Sequence, residues 1–273
     1  MAGSNPVAHV TAPVVAVTER LPQWATLVRA PNPSPMTLDG TNTWVLRPAG
    51  HRSALVVDPG PAHEQHLRAV AETAGTVAGV LVTHSHPDHV EGLARFCELT
   101  QAAVVTPPAG EATDLSGLQV TTLATPGHTA DSVCFLVEAA GQSAVLTGDT
   151  ILGRGTTVVA WPDGDLGDYL DSLGRLEQLA GRPALPGHGP ALTDCGGAAA
   201  YYLAHRRARL AQVAAAVADG ATTPAAVVDR VYPDISSDLR GAAEWSVRAQ
   251  LAYLEQSTDR RESPPGPEPL DTL

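Results

Sequence analysis

Between Leu21 and Leu192, short apolar runs rich in Val, Leu and Thr alternate with segments of helical periodicity. Each run is bounded by Gly, Pro, Asp or Asn, which is typical of β-strands. Strands interleaved with helices indicate an α/β or layered α+β domain. The predicted strands are Thr43–Leu46, Ala54–Val57, Val80–Val82, Ala103–Thr106, Val120–Thr122, Ser132–Val137 and Ala144–Leu146, and the predicted helices are His63–Thr73, Val90–Leu99 and Leu166–Leu179.

The pattern changes after Leu192, where apolar residues repeat at helical spacing. Leu203, Leu210, Val213 and Val217 form one apolar stripe on a predicted helix. The last residues are polar and rich in proline, a composition typical of disorder. We therefore divide the chain into an N-terminal arm (1–20), a main domain (21–195), a small helical domain (196–257) and a disordered tail (258–273).

Composition and charge exclude several functions. The formal net charge of −12 disfavours broad nonspecific binding of nucleic acids. All 17 basic residues are arginines, so no Schiff-base or P-loop lysine exists. Three cysteines without a CxxC spacing predict reduced thiols. Because the N-terminal apolar run has no basic flank and contains His9 and Pro13, we expect neither a signal peptide nor a membrane span, and a cytoplasmic location.

Four potential metal ligands lie within six residues directly after an apolar strand, in the run His84-Ser85-His86-Pro87-Asp88-His89. Imidazole nitrogens and carboxylate oxygens suit Zn²⁺. His84 and His86 would project to one side, because side chains alternate along a strand. Asp88 and His89 follow the turn at Pro87 and can face a second point. One loop could thus serve two adjacent metal ions.

Three further candidates, His128, Asp149 and His188, each occupy a glycine-containing turn after a strand-like run. An isolated buried histidine or aspartate is usually no more than a hydrogen-bonded residue. That explanation must here cover seven ligand-type residues at loop starts, and we therefore predict a metal site. The histidines without such a context, which we assign to the surface or to packing, are His9, His51, His63, His66 and His205.

The HxHxDH motif, followed in order by single His, Asp and His residues, resembles the metallo-β-lactamase superfamily over about residues 21–192. This resemblance implies a four-layer αββα sandwich with two zinc ions per chain at one edge, between the sheets. It also implies that Asp58, in an Asp-x-Gly turn, orients a metal-bound histidine, although a plain turn aspartate remains an alternative. By the same resemblance His84, His86 and His128 hold the first ion, Asp88, His89 and His188 hold the second, and Asp149 bridges both.

Two close divalent cations would lower the pKa of a bridging water and so provide a metal-bound hydroxide nucleophile. Asp88 and Asp149, the catalytic candidates, offset part of the metal charge, which leaves the pocket slightly positive. A small anionic ester, thioester or phosphodiester is then a sensible substrate, and hydrolysis is the predicted reaction. A true β-lactamase is less expected, because this chain has the bridging Asp149, no lysine and no export signal.

Three segments resemble the lactamase-like-protein-2 group of that superfamily: Leu38–Trp44, Leu185–Pro190, and a Y-x-x-H-R-x-x-R helix that starts at Tyr202. The resemblance implies a small winged-helix-like C-terminal domain. Leu210 stands where that helix usually has an acidic residue. The group includes an endoribonuclease on single-stranded RNA, so the first candidate activity is dinuclear zinc hydrolysis of phosphodiester bonds in single-stranded RNA. Phosphate contacts would then come from Arg206, Arg207 and Arg209, although a solvated helix face explains this cluster equally well.

Two other reactions remain open. The first is thioester or ester hydrolysis of a small metabolite, similar to glyoxalase II, with Thr41–Trp44 and Trp161–Asp165 as enclosing loops. The second is an iron-dependent sulfur dioxygenase, against which the complete second ligand set argues. The C-terminal helices could also form a regulatory or dimerising module. The expected partner is a small anionic substrate or single-stranded RNA, and we expect binding neither to DNA nor to a membrane. The oligomeric state does not follow from the sequence.

Overall fold

Two β-sheets form the centre of the protein in the computed structural model, which describes residues 21–159 and 161–262, with side chains up to residue 257. The first sheet has the order β1-β2-β3-β4 and the second the order β5-β6-β7-β8-β9. Neighbouring strands are antiparallel except for the parallel pairs β3–β4 and β8–β9. The strands are β1 (Ala25–Arg29), β2 (Asn42–Leu46), β3 (Ser53–Val57), β4 (Thr76–Leu81), β5 (Ala112–Leu115), β6 (Leu118–Ala124), β7 (Val133–Ala139), β8 (Gln142–Gly148) and β9 (Ala184–Pro186).

The helices cover the outer faces of the sheets. They are α1 (Glu64–Ala74), α2 (Pro87–Val90), α3 (Leu93–Thr100), α4 (Leu166–Glu177), α5 (Cys195–Ala218), α6 (Pro224–Val231) and α7 (Ser237–Glu262). Helices α1 and α3 pack on the first sheet through Leu67, Val70 and Phe96. Helices α4 and α5 pack on the second sheet through residues such as Leu173 and Ala199.

A third apolar cluster fills the space between the two sheets. It contains Trp44 and Leu55 from the first sheet and Val120, Phe135 and Leu146 from the second, all buried. Side chains alternate between the two faces of a strand, so the same strands bury one set between the sheets and another under the helices. The layers run helix, sheet, sheet, helix, which confirms the predicted αββα sandwich.

Local chemistry explains where several helices begin. The Asp165 side chain accepts a hydrogen bond from the Asp168 amide at 3.0 Å, a typical N-cap of α4. Thr223 caps α6 in the same way, with Pro224 at the first helical position. Helix α3 begins at Leu93 rather than at the predicted Val90, because residues 87–90 form the separate turn α2.

The chain from Cys195 to Glu262 folds as three helices. Val213, Val227, Val228 and Val247 form a small core of their own between α5, α6 and α7. This confirms a helical C-terminal region, but within residues 195–262 no strand forms a wing. Helix α7 continues to Glu262, past the predicted boundary at 257. Val217, which we placed on the apolar stripe of α5, is 42% exposed.

Other differences from the sequence-based predictions concern short edge elements. Strands β1, β5 and β9 were not among the predicted strands, and Ala103–Thr106 forms only an isolated bridge between Val104 and Val80. The predicted arm (1–20) and the end of the predicted tail (263–273) lie outside the described residues. Among the described helices, none is long and apolar enough to cross a lipid bilayer.

Candidate metal centre

Polar side chains converge where strands of both sheets end. Strand β4 leads into the loop that carries the HxHxDH motif, and β6, β8 and β9 lead to His128, Asp149 and His188. The structure brings all seven predicted ligands together in overlapping groups of three, whose ligand atoms lie within 4.8 Å of one another. These groups are His84, His86 and His128; His84, His89 and Asp149; and Asp88, His89 and His188.

The first group consists of three imidazoles. His86 Nδ1 lies 3.0 Å from His84 Nε2 and 3.0 Å from His128 Nε2. His84 and His128 are buried, whereas His86 is partly exposed. Three ring nitrogens therefore face one point that remains open on the side of His86.

The second group contains Asp88, His89 and His188. His188 Nε2 lies 3.1 Å from Asp88 Oδ2 and 3.3 Å from His89 Nε2. The side chain of Asp88 is 26% exposed and lies on the open side of this group.

Asp149 lies between the two groups. Its Oδ2 is 3.2 Å from His188 Nε2 and 3.8 Å from His128 Nε2, so one carboxylate oxygen faces a ligand of each group. Its Oδ1 is 3.5 Å from His89 Nε2, and it is buried without a hydrogen-bond partner in the described part of the chain. A buried carboxylate oxygen without a donor is costly unless a cation approaches it.

The donor set fits zinc. Zinc–nitrogen distances of about 2.0–2.1 Å in a tetrahedral site place neighbouring ligand atoms roughly 3.3 Å apart. The nitrogen–nitrogen contacts of 3.0–3.3 Å in the two groups lie close to that value. Histidine nitrogens and aspartate oxygens are also ligands that zinc accepts.

Two glycines allow this close approach. A Cβ atom at Gly187, the residue before His188, would lie 2.5 Å from Asp149 Oδ1 and 2.7 Å from His89 Cε1. Gly127, the residue before His128, has a φ of +136°, and a Cβ there would lie 2.3 Å from the Cα of Tyr169. Any larger residue at either position would displace a ligand or helix α4.

Asp58 contacts a ligand of the second group directly and a ligand of the first group through Thr83. Its Oδ2 lies 2.9 Å from His89 Nδ1 and accepts a hydrogen bond from the Thr83 hydroxyl at 2.6 Å, while its Oδ1 accepts one from the Thr83 amide. Thr83 Oγ1 lies 3.0 Å from His84 Nδ1. Since the hydroxyl donates to Asp58, it accepts from His84, so both histidines carry their proton on Nδ1 and turn Nε2 towards the centre.

Backbone carbonyls and a threonine hold three more of the ligands. Val158 O lies 2.6 Å from His128 Nδ1, and Gly40 O lies 3.4 Å from His188 Nδ1. The Thr41 hydroxyl donates to Asp88 Oδ2 at 3.0 Å. These contacts leave the opposite nitrogen of each imidazole facing the centre.

Burial and neighbouring charges set the ionisation of the ligands. Burial, together with the neighbouring His89, lowers the pKa of His84 to about 2. Burial opposes a charge on His188 as well, but Asp149 and Asp88 raise its pKa to about 10. Burial would raise the pKa of Asp149, yet His188 and His89 hold it well below its ordinary value. Burial would raise the pKa of Asp88 too, but its hydrogen bond with His188 and the neighbouring His89 lower it. Both aspartates are thus anionic and His84 is a neutral ligand at neutral pH, whereas His188 must release a proton when it binds a cation.

Comparison with known proteins agrees with this geometry. The model of the metallo-beta-lactamase superfamily matches residues 36–115 and 105–188. The atrochrysone carboxyl ACP thioesterase of Aspergillus fumigatus is 30% identical over 239 residues, which are 76% of this chain and 73% of that protein.

The chain belongs to the metallo-beta-lactamase superfamily.

Further similarities extend over most of this superfamily member. The beta-lactamase-like protein 2 homolog of Caenorhabditis elegans is 29% identical and covers 86% of this chain and 85% of that protein. A beta-lactamase domain protein from Burkholderia ambifaria has the same fold, with a TM-score of 0.72 and 22% identity over 93% of this chain and 91% of that one. Like its relatives in this superfamily, the protein is a hydrolase.

The three arginines proposed as RNA contacts lie in different surroundings. Arg206 is only 6% exposed and donates a hydrogen bond to Thr157 O. Arg209 is half-buried, donates to Val231 O and lies over the ring of Tyr232. Arg207 alone among them is exposed. The prediction that Arg206 contacts phosphate is therefore wrong, because the fold turns its guanidinium into the interior.

Sequence reasoning assigned no part in the site to one histidine that supports it from the interior. His66, which we assigned to the surface or to packing, is 4% exposed. Its Nε2 lies 3.0 Å from Thr43 Oγ1 and 3.1 Å from Pro59 O, and Thr43 donates to Asp58 O at 2.7 Å. His66 thus supports the turn that carries Asp58. Its position on α1 at helical spacing from Val70 is the signal that could have placed it inside.

Proposed function

We propose that this chain is a dinuclear zinc hydrolase that cleaves acyl thioesters. The observation that carries the two-metal part is Asp149, whose carboxylate lies between two complete ligand groups and keeps one buried oxygen without a donor. The name of the Aspergillus fumigatus relative supports the thioester part.

The residues of each group have distinct parts in this proposal. His84, His86 and His128 would hold one ion, Asp88, His89 and His188 the other, and Asp149 would contact both. When bound, the cations activate a water molecule as nucleophile and polarise the scissile carbonyl. Asp58 and Thr83 fix the tautomers of His84 and His89, so that their unprotonated Nε2 atoms would be available to the ions.

The surroundings of the ligands favour a good leaving group. Among the described residues, the side chains of the seven ligands contact histidine, aspartate and threonine side chains and backbone carbonyl groups. None of these direct partners is a tyrosine or a lysine that could protonate a departing alkoxide. A thiolate with an ordinary pKa of about 8.5 needs much less help than an alkoxide. Thioester cleavage thus makes the smaller demand on this site.

The charge of the chain points the same way. The formal net charge of −12 repels a polyanion at long range, and one of the three arginines considered for RNA is buried. The two aspartate ligands neutralise half of the charge of two divalent cations, so the pocket itself stays positive. A small anionic thioester can enter such a pocket, whereas a long RNA strand meets an acidic surface.

The test compares two substrate classes with one preparation. The zinc-loaded protein is incubated with thioesters of short aliphatic and aromatic acids, and free thiol is measured with a thiol-reactive dye. End-labelled single-stranded RNA is incubated in parallel, and Asp149→Ala serves as control for both. Thiol release by the wild type alone supports the proposal. RNA cleavage without thiol release would transfer the activity to phosphodiesters, and inactivity on both would refute the substrate class.

A further inference from the structure

Arg206 is a buried cation in the helix α5. Within the described part of the chain it forms no ion pair, and its guanidinium carbon lies 5.2 Å from the centre of the Tyr169 ring. Its hydrogen bonds go to the backbone carbonyl of Thr157 and to the hydroxyl of Tyr169. Burying a guanidinium without a carboxylate is costly, and hydrogen bonding and the aromatic face offset only part of that cost. The position calls for a physical reason.

Thr157 belongs to the loop that holds a metal ligand. Its hydroxyl lies 3.2 Å from His128 Nδ1, and the next carbonyl, Val158 O, lies 2.6 Å from the same nitrogen. Residues 149–159 lie between β8 and α4, and within this stretch the chain forms neither helix nor strand. Because this loop lacks the regular backbone hydrogen bonds of a helix or sheet, contacts from other parts of the protein must keep its two acceptors at a fixed distance from the imidazole of His128.

Helix α5 provides such contacts at two points of this loop. One turn before Arg206, the Tyr202 hydroxyl accepts a hydrogen bond from Leu152 N at 3.0 Å and lies 3.3 Å from Leu152 O. Tyr202 therefore holds the beginning of the loop and Arg206 its end. Both side chains lie on the buried face of α5, next to the second sheet.

We propose that Arg206 is a positioning residue for His128, and through it for the group His84, His86 and His128. The inference rests on the proposed two-metal function. His128 takes part in this group and not in the group of Asp88, His89 and His188, which is held by Asp58, Gly40 and Thr41 on the other side. Loss of Arg206 should weaken one ion and spare the other.

The experiment measures zinc binding and activity in four proteins. The metal-free wild type, Arg206→Gln, Arg206→Lys and Arg209→Gln are titrated with zinc against a chromophoric chelator. Arg209 is the matched control, because it lies one turn further along α5 and bonds to Val231 O inside the helical region. For metal-bound histidines, loss of an outer hydrogen-bond partner lowers affinity about 10- to 100-fold. We expect a loss of that size for one zinc ion in Arg206→Gln, a smaller loss in Arg206→Lys, and none in Arg209→Gln.

Cobalt spectra identify the weakened position. One equivalent of Co²⁺ in Arg206→Gln should give the absorption spectrum of His86→Ala, which lacks a ligand of the first group, and not that of His188→Ala. If Arg206→Gln does not fold, the same comparison with Arg206→Lys decides, since lysine keeps the charge and one donor.

Two wild-type-like zinc affinities in a folded Arg206 variant would overturn the inference, as would equal weakening of both ions. A wild type that binds fewer than two ions would instead refute the proposed function, so the two failures are distinguishable.

Discussion

Asp58→Asn is the substitution with the widest expected effect on the centre. The carboxylate accepts from the Thr83 amide, the Thr83 hydroxyl and His89 Nδ1, and through the hydroxyl it also fixes His84. Asparagine has nearly the same shape but carries an NH₂ group in place of one oxygen. That NH₂ group must face either the Thr83 amide or, at the position of Oδ2, both His89 Nδ1 and the Thr83 hydroxyl, and all three are donors. At least one hydrogen bond is therefore lost in either orientation, and the bonds that remain go to a neutral amide oxygen instead of a charged carboxylate, which weakens them.

The size of the effect follows from the kind of bond that is lost. A hydrogen bond to a charged group contributes about 1.5–3 kcal/mol, which corresponds to roughly 10- to 100-fold in an equilibrium constant. Outer partners of metal-bound histidines contribute about the same factor to metal affinity. Because Asp58 acts on His89 directly and on His84 through Thr83, we expect both zinc ions to bind about 10- to 100-fold more weakly.

The assay is a zinc titration of metal-free protein with a competing chelator, run beside two reference variants. Thr83→Val removes the hydroxyl but leaves the contact between Asp58 and His89, so it should weaken only the ion bound by His84. Glu98→Gln changes an exposed carboxylate on α3 that pairs with Arg95, and it should bind zinc like the wild type. Circular dichroism establishes that each variant is folded.

Two results would refute this reasoning. If folded Asp58→Asn binds both ions within about threefold of the wild type, the residue is the plain turn aspartate that the sequence left open. If Thr83→Val weakens both ions equally, the route from Asp58 to His84 through the hydroxyl is not the one that orients the imidazole.

Three more predictions follow from single contacts. Asp149→Ala should lose at least one zinc ion by elemental analysis and all turnover while its circular dichroism spectrum is unchanged; residual turnover near the wild-type rate would contradict its position between the ions. Gly187→Ala should lose zinc and activity, because the new methyl group lies 2.5 Å from Asp149 Oδ1. Burial lowers the pKa of His66 from 6.5 to about 4, so the unfolded chain takes up this proton first, and the stability that neutral His66 contributes is present above pH 6.5 and is lost as the pH falls towards 4. In urea denaturation of metal-free protein, the wild type should therefore lose roughly 1–2 kcal/mol more of its unfolding free energy between pH 7 and pH 5 than His66→Gln does.

The ligand set could be predicted because each ligand has a local signature. His84, His86 and Asp88 follow a strand within a few residues, and His128 and His188 each come after a glycine. Strand ends and turns are readable from short windows of sequence. The resemblance to a known superfamily supplied the order of the layers, which periodicity alone leaves open.

The edges of the sheets were harder to predict. Strand β9 has three residues, and β5 has four residues that are exposed or half-buried. Strands this short have too few positions for an alternating pattern to stand out. They form because the longer strands β6 and β8 offer backbone N–H and C=O groups to pair with. Their formation therefore depends on the tertiary structure and not on a local pattern.

The supporting contacts of the ligands were the least predictable part. Arg206 reaches a carbonyl 49 residues away, and His128 reaches one 30 residues away. A backbone acceptor has no signature in the sequence, because every residue carries one. A signal for the burial of Arg206 nevertheless existed. It lies three residues after Leu203 and four before Leu210, on the same stripe of α5 that we predicted to be apolar.

The two sheets divide the support of the centre between them. Asp58, Gly40 and Thr41, at the ends of the first sheet, hold His89, His188 and Asp88, whereas the loop after β8, fixed by α5, holds His128. His84 comes from the first sheet but faces His86 and His128 in the group supported from the second. A disturbance on the α5 side should therefore reach one ion, whereas a disturbance at Asp58 should reach both, because Asp58 alone of these supports is hydrogen-bonded to a ligand of one group and, through Thr83, to a ligand of the other.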